Sequence, residues 1–272
     1  MSINRRQFLR RAGLVTALGL GGSFVITGLR GKKVEAASVA ASASEYETSK
    51  DALVAKHWAM VVDMSKFKTE DDFTRVIQSC VSIHNIPDFG NPNDEIKWIW
   101  QDYYEHTFSG GENEYLTDNF KKLPFTIMCN HCENPPCVKA CPTGATFKRP
   151  DGIVAMDFHR CIGCRFCMGA CPFGARSFNF RDPRPFIKKI DPDFPTRTQG
   201  VVEKCIFCVE RLADGLMPAC VEASNGGLIF GDLDDPNSEV RKIVSTKFTI
   251  RRKIELGTQP SVYFLVGGGD HA

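Results

Sequence analysis

The sequence lacks the short motifs that mark the common kinds of catalytic site. Among its 272 residues there is no GxSxG nucleophile motif, no HExxH metalloprotease motif and no phosphate-binding P-loop. The glycine run at 267–269 is typical of a flexible tail rather than of a phosphate cradle. We therefore expect no substrate-converting site in this chain.

Beyond its first 36 residues the chain also lacks an excess of positive charge. The formal net charge is +2, but seven of the 34 basic residues fall within those 36 positions, beside one acid. The rest of the chain carries 27 basic and 31 acidic residues, a balance of −4. A nucleic-acid-binding surface needs a concentrated basic face, so this class of partner is excluded. The hydrophobic content of 43% is sufficient for an ordinary globular core.

Uncharged runs of membrane-spanning length are scarce, and the run at residues 12–29 is at the short limit for a span. It follows the adjacent pair Arg5 and Arg6, and small residues suited to peptidase cleavage surround Ala36. This pattern predicts a twin-arginine export signal over residues 1–36, and hence a periplasmic location on the outer face of the cytoplasmic membrane. A retained signal would tether the protein to the membrane, and a simple membrane anchor is the alternative interpretation.

Cysteine is abundant, and its spacing argues for metal clusters. Twelve cysteines in an exported protein would ordinarily indicate disulfides. One group has the CxxCxxCxxxC spacing of bacterial ferredoxins and a proline after its last cysteine: Cys161, Cys164, Cys167, Cys171 and Pro172. An upstream group, CxxCxxxxCxxxC, is also followed by proline: Cys129, Cys132, Cys137, Cys141 and Pro142.

In such a duplicated unit the first three cysteines of a motif hold one cluster, and the fourth reaches the neighbouring cluster. The proline then prevents the chain from continuing as a helix. We therefore predict two sets of ligands to 4Fe-4S clusters. The first quartet is Cys129, Cys132, Cys137 and Cys171, and the second quartet is Cys161, Cys164, Cys167 and Cys141.

A third quartet is predicted from Cys205, Cys208 and Cys220 together with the distant Cys80. Cys80 completes a set of four, so the twelve cysteines divide into three quartets. Three quartets predict three 4Fe-4S clusters. Cys80 could instead be a buried core thiol, because lone cysteines on apolar helix faces are common in cores.

The repeated cysteine pattern has a place for a fourth cluster, but the cysteines that would bind it are missing. Phe67, Glu70 and Phe73 stand where the first motif would carry cysteines, and Ser224 stands where the last motif would carry its fourth. The segment that begins at Thr69 instead has a capping hydroxyl followed by acidic residues, which predicts the start of a helix. The helix would place five residues on one face: Phe73, Val76, Ile77, Cys80 and His84.

Zinc binding and disulfide formation are the two alternative uses of the thiols. CxxC pairs also build structural zinc sites, which would make the chain an exported zinc-binding interaction module. Disulfides are disfavoured, because cysteines three residues apart bridge poorly. His131 and His159 lie beside cysteines, but we expect both in loops or at the surface rather than as ligands.

From residue 55 onward the chain resembles the iron–sulfur subunits of molybdopterin oxidoreductases and related membrane complexes. The resemblance is carried by residues 129–137, 218–223 and 230–236. Residues 180–186 and 251–263 are most similar to the DsrO group, the periplasmic ferredoxin-like subunits of the DsrMKJOP complex of dissimilatory sulfite metabolism. The resemblance implies an NrfD-type quinone-interacting membrane subunit (DsrP-like), a periplasmic multihaem cytochrome c (DsrJ-like) and further subunits as partners. The runner-up function is the 4Fe-4S subunit of an exported molybdopterin enzyme.

The expected fold class is α+β, with tandem, pseudo-symmetric ferredoxin-like units. Residues 120–195 should form a two-cluster unit, and 52–85 plus 196–235 a discontinuous unit with one cluster. An insertion at 86–119 and an extension at 236–272 complete the chain. The insertion either packs against the core or covers the clusters and docks a partner, in which case its deletion should leave the iron content intact.

Overall fold

The computed structural model describes residues 49–109 and 113–266, so the predicted export signal and the terminal glycine run lie outside it. The strands that it describes are short: β1 (Trp58–Asp63), β2 (Ile99–Tyr103), β3 (Pro124–Met128), β4 (Thr146–Lys148), β5 (Val154–Met156), β6 (Ser177–Phe178), β7 (Val202–Glu203), β8 (Leu228–Asp232), β9 (Thr249–Ile250) and β10 (Val262–Leu265).

The helices are also short, apart from the first. They are α1 (Glu70–Ile83), α2 (Tyr104–Thr107), α3 (Asp118–Lys121), α4 (Pro136–Lys139), α5 (Phe166–Ala170), α6 (Val209–Ala213), α7 (Ala219–Ala223) and α8 (Glu239–Thr246). No helix in the described ranges combines the length and the apolar character that crossing a membrane requires. The expected mixture of helix and strand is present.

The cysteine segments are linked by antiparallel strand pairs. The pair β4–β5 connects the segment ending at Cys141 to the one starting at Cys161, and β6–β7 connects Cys171 to Cys205. In the same way β2–β3 leads from α1 to Cys129. The β4–β5 pair brings Cys141, the fourth cysteine of its motif, into one cavity with Cys161 at the start of the next motif, which is the arrangement that sharing of ligands requires.

The largest sheet has the strand order β8-β1-β10-β9 and carries the two ends of the described chain. Strand β1 pairs antiparallel with β8 and parallel with β10. One face of β1 is buried under α8, where Val61 meets Val240 and Ile243. The other face contributes Met60 and Val62 to the main core. The predicted C-terminal extension therefore supplies the strand next to β1 and the helix that covers it.

The helix predicted after Thr69 is present as α1. The Thr69 hydroxyl and backbone N–H both donate to the Asp72 carboxylate, over 2.9 and 3.0 Å. Phe73, Val76 and Cys80 are buried on the predicted face. Burial of this face against the core, together with the cap, explains why a continuous helix forms where a cluster loop would otherwise lie.

The strand pairings cross the domain boundaries predicted from sequence. Strand β2 belongs to the predicted insertion and pairs with β3 of the predicted two-cluster unit. Strand β6 of that unit pairs with β7 of the discontinuous one. The described residues, 49–109 and 113–266, cluster as one compact unit. The division into two ferredoxin-like units stays a prediction about the repeat within that body.

Candidate metal centres

The first quartet lines one small cavity between the β3–α4 loop and the turn after α5. Cys129, Cys132 and Cys137 are buried and Cys171 is partly exposed. Cys129 and Cys132 stand on the loop that leaves β3, and Cys137 is in the first turn of α4. The distant Cys171, at the end of α5, enters the same cavity.

The second quartet lines a separate cavity, where Cys141 joins Cys161, Cys164 and Cys167. The loop between Cys161 and Cys164 is tight: Gly163 has a φ of +69°, and a β-carbon there would lie 2.4 Å from the carbonyl oxygen of Gly200. Only glycine fits at this position without strain. Cys141, Cys161 and Cys164 are partly exposed, so this is the quartet nearest to solvent.

The third quartet is fully buried. The pKa of Cys80 is raised well above its ordinary value, first by burial and then by the nearby sulfurs of Cys208, Cys205 and Cys220. Cys80 lies in α1, Cys205 and Cys208 lie on the loop before α6, and Cys220 lies in α7. Contact of α1 with α7 brings the distant Cys80 to the other three.

The chemistry of these donor sets suits a cationic cluster. Burial raises the pKa of Cys132 and of Cys220 to about 12, with neighbouring thiols adding to the effect at Cys132. Four neutral thiols gathered in a dry cavity gain little from one another, whereas four thiolates there need a strong positive charge. A bound metal centre provides that charge and keeps coordinating thiols ionised. All twelve cysteines are free thiols, which fits ligation rather than cross-linking.

His131 lies in the loop that leaves β3, as expected, but this part of the loop is buried in the core and not at the surface. It is fully buried, and its Nδ1 accepts the N–H of Val154 over 3.1 Å. Burial, aided by the charges of Lys204 and Arg176, holds the pKa of His131 well below its ordinary value, so the ring is neutral. His159 is exposed, as expected.

The third quartet has polar neighbours that the sequence did not reveal. His84 Nδ1 lies 3.3 Å from the Cys80 sulfur, and its Nε2 lies 2.9 Å from a Glu210 oxygen. His84, Cys208 and Glu210 place one donor atom each within 4.8 Å of one another. Because Cys208 belongs to the third quartet, these donors are part of the same site and not a separate metal centre.

The predicted insertion covers the third quartet. Trp98 is buried, its ring centroid lies 4.5 Å from that of His84, and its Nε1–H donates to Glu203 over 3.0 Å. Glu203 in turn forms a buried ion pair with Arg197 at 2.7 Å. Deletion of 86–119 would remove Trp98 and strand β2, so it is expected to disturb the iron content, contrary to the expectation from sequence.

Apolar side chains occupy the region where the sequence pattern would place a fourth cluster. Phe67 and Phe73 are buried, with ring centroids 5.1 Å apart. A β-carbon on Gly227 would lie 2.7 Å from the Phe67 ring. The Ser224 hydroxyl donates to the Val221 carbonyl and accepts the Leu228 N–H, so it acts as a cap of α7.

Comparison with known proteins identifies the chemistry of these sites. Residues 121–184, which contain the whole of the first quartet and the whole of the second, match the family model of the 4Fe-4S dicluster domain. This match, together with the twelve cysteines, shows a ferredoxin-like iron–sulfur fold that binds 4Fe-4S clusters.

Curated relatives cover most of the chain. The Hdr-like menaquinol oxidoreductase iron–sulfur subunit 1 of Archaeoglobus fulgidus is 38% identical over 253 residues, covering 85% of this chain and 91% of that protein. The iron–sulfur cluster-binding subunit of the Nitratidesulfovibrio vulgaris menaquinone reductase is 34% identical, covering 76% and 88%. The B subunit of the selenate reductase of Mesobacillus selenatarsenatis is 35% identical, covering 76% and 71%.

The matches cover most of the length of these relatives as well as of this chain, and the relatives are named as iron–sulfur or B subunits of oxidoreductases. The chain therefore belongs to the family of 4Fe-4S iron–sulfur subunits of menaquinol and molybdopterin-type oxidoreductases.

Proposed function

We propose that this chain is an exported electron-transfer subunit with three 4Fe-4S clusters, held by the first, second and third quartets. It would pass single electrons between an NrfD-type quinone-interacting membrane subunit and a periplasmic multihaem cytochrome c. The observation that carries the proposal is the gathering of twelve free cysteines into three sets of four, each completed by a residue from a distant segment.

When bound, each cluster supplies a centre that takes up and releases one electron. The protein holds the sulfurs, excludes water and sets the charge around each site. The third quartet is sealed by Trp98 and His84, while the second quartet lies at the surface. This difference supports electron exchange with an external partner at the second quartet.

The surface around the second quartet fits that role. Ile162 and Phe166 are 68% and 65% exposed on the loop that holds Cys161, Cys164 and Cys167, and Phe180 is 48% exposed nearby. The Arg165 guanidinium lies 5.8 Å from the centre of the Phe180 ring. An apolar patch with a cation suits a cytochrome whose exposed haem edge carries propionate carboxylates.

The link to dissimilatory sulfur metabolism rests on the resemblance to the DsrO group. It has support from the B subunit of a sulfite dehydrogenase in Allochromatium vinosum, a relative that is 37% identical over 54% of this chain. The twin-arginine pattern in residues 1–36 supports a periplasmic location for the protein.

A molybdopterin enzyme is the second candidate, favoured by the match to the B subunit of the selenate reductase. Purification of the native complex under mild detergent separates the two. A multihaem cytochrome and an NrfD-type subunit in the purified complex would support the first proposal. A large molybdopterin subunit in their place would support the second.

The cluster assignment is tested by quantitative iron and acid-labile sulfide, with EPR after reduction. Three clusters require about twelve irons per chain. About sixteen irons would contradict the filled fourth site, and zinc without iron or sulfide would leave only the zinc-module alternative.

The docking surface is tested by Ile162→Glu, with Phe248→Glu as the control because Phe248 is a 75% exposed apolar residue of the C-terminal segment. We expect Ile162→Glu to slow oxidation of the reduced protein by the cytochrome without changing its iron content. Equal rates of oxidation by the cytochrome for the two variants would contradict electron exchange at the second quartet.

A further inference from the structure

Arg176 is a buried cation between the first and second quartets. It is 5% exposed and lines the cavity of the first quartet. Its Nη1 donates to the Thr146 hydroxyl over 3.0 Å and lies 3.8 Å from the sulfur of Met156. Thr146 and Met156 face each other on the β4–β5 pair, which connects Cys141 to Cys161 of the second quartet.

The Arg176 side chain lies between the cavities of the two quartets. It lines the cavity of the first quartet, and the two residues beside its Nη1, Thr146 and Met156, line the cavity of the second quartet. The side chain stays positively charged at any working pH.

The charge of Arg176 has no carboxylate partner within the described part of the chain, in contrast to the buried pair of Arg197 and Glu203. Its Nε and Nη2 atoms are buried and have no hydrogen-bond partner there. A buried cation needs a compensating charge, and two unused donors need acceptors. The sulfurs of the first quartet line the same cavity as Arg176, and those of the second quartet lie in the cavity lined by its partners Thr146 and Met156; as cluster ligands they would supply both.

We propose that Arg176 bridges the first and second clusters as a shared positive charge and hydrogen-bond donor, and raises the midpoint potentials of both. The inference rests on the cluster assignment proposed above. Reduction adds one electron and no proton to a centre with thiolate ligands, so a fixed cation beside it favours the reduced form. Arg176 thus acts as a fixed charge that raises the potentials of two adjacent centres together.

The experiment is an EPR-monitored redox titration of the purified full-length protein, with dithionite as reductant and ferricyanide as oxidant. Arg176→Gln removes the charge, and Arg176→Lys keeps it while losing the planar fork of donors. The third cluster serves as an internal control, because its ligands do not contact Arg176. Iron and sulfide are counted in every sample.

In Arg176→Gln we expect the reduced-to-oxidised ratio of the first and second clusters to fall about tenfold at a fixed potential, a negative shift of about 59 mV for a one-electron couple. Arg176→Lys should shift both less, and the third cluster should not move. Unchanged potentials for the first two clusters, or an equal shift of all three, would overturn the inference.

Loss of iron in Arg176→Gln is also decisive. Loss of about eight irons with four retained would support contact with both clusters. Loss of only four, or of all twelve, would assign Arg176 to one site or to folding and would overturn the inference. A wild-type protein without iron would instead remove the cluster assignment itself, so the two failures are distinguishable.

Discussion

The imidazole ring of His131 stacks on the phenyl ring of Phe207, with ring centroids 3.6 Å apart and the planes 16° from parallel. Each residue immediately precedes the second cysteine of a CxxC pair, and each has a positive φ, 41° and 54°. Corresponding positions of the first and third quartets therefore meet face to face, and the stack joins the two cluster loops.

Phe207→Ala should destabilise the protein by about 3 kcal/mol, because it leaves a cavity at a fully buried ring and removes the stack. The measurement is guanidinium denaturation followed by tryptophan fluorescence and by the visible absorbance of the clusters. Phe248→Ala, at a 75% exposed site, is the control and should change the stability by less than about 0.5 kcal/mol. Similar midpoints for the two variants would contradict a structural role for the stack.

Cys80→Ala should lower the iron content from about twelve to about eight per chain, because the third quartet would lose its ligand from α1. Iron and sulfide analysis measures this directly, and Ser79→Ala on the same helix is the control. If Cys80 were only a core thiol, the variant would retain all its iron and lose stability alone. That result would contradict the role of Cys80 as the fourth ligand of the third quartet.

Ser224→Cys should leave the iron content at about twelve, even though it restores the fourth cysteine of the last motif. Phe67 and Phe73 fill the place of the loop that would supply the other ligands. Ser82→Cys adds a thiol at an exposed position of α1 and controls for adventitious iron binding. An iron count that rises toward sixteen in Ser224→Cys alone would contradict the filled site.

The Asp72 cap should make the start of α1 sensitive to acid. Hydrogen bonds from the Thr69 backbone, the Arg75 side chain and the Thr69 hydroxyl lower the pKa of Asp72 to about 2 from 3.8. A carboxylate with a depressed pKa in the folded state stabilises that state above pH 3.8, and the contribution is lost as the pH falls through about 2.

Asp72→Asn reproduces the uncharged state of this side chain at pH 7. Hydrogen exchange of the first-turn amides of α1 should be faster in this variant, with Asp71→Asn as the matched control. Equal protection in the two variants would show that the cap does not hold the helix start.

The cysteine quartets and the first helix could be predicted from the sequence, because both depend on residues that are close together in the chain. Cysteine spacing and the following prolines predicted the quartets, since a loop with cysteines every third residue points its sulfurs at one centre. The start of α1 after Thr69 is predicted from the capping residues, and its buried face from the helical spacing of apolar residues. The structure confirms both.

Other features depended on contacts between distant segments. The burial of His131 against Phe207, the cover of Trp98 over His84 and the place of Arg176 between two quartets have no local pattern in the sequence. The pairing of β1 with β10 likewise joins residues about 200 positions apart.

The sequence by itself determined the ligand type and the number of sulfurs, because these depend on residue identity and on spacing within a loop. The tertiary structure decided how the distant cysteine predicted for each set reaches the other three, which quartet faces solvent and where the buried charges lie. Those properties arise when helices and strand pairs pack together, and packing is a property of the whole chain.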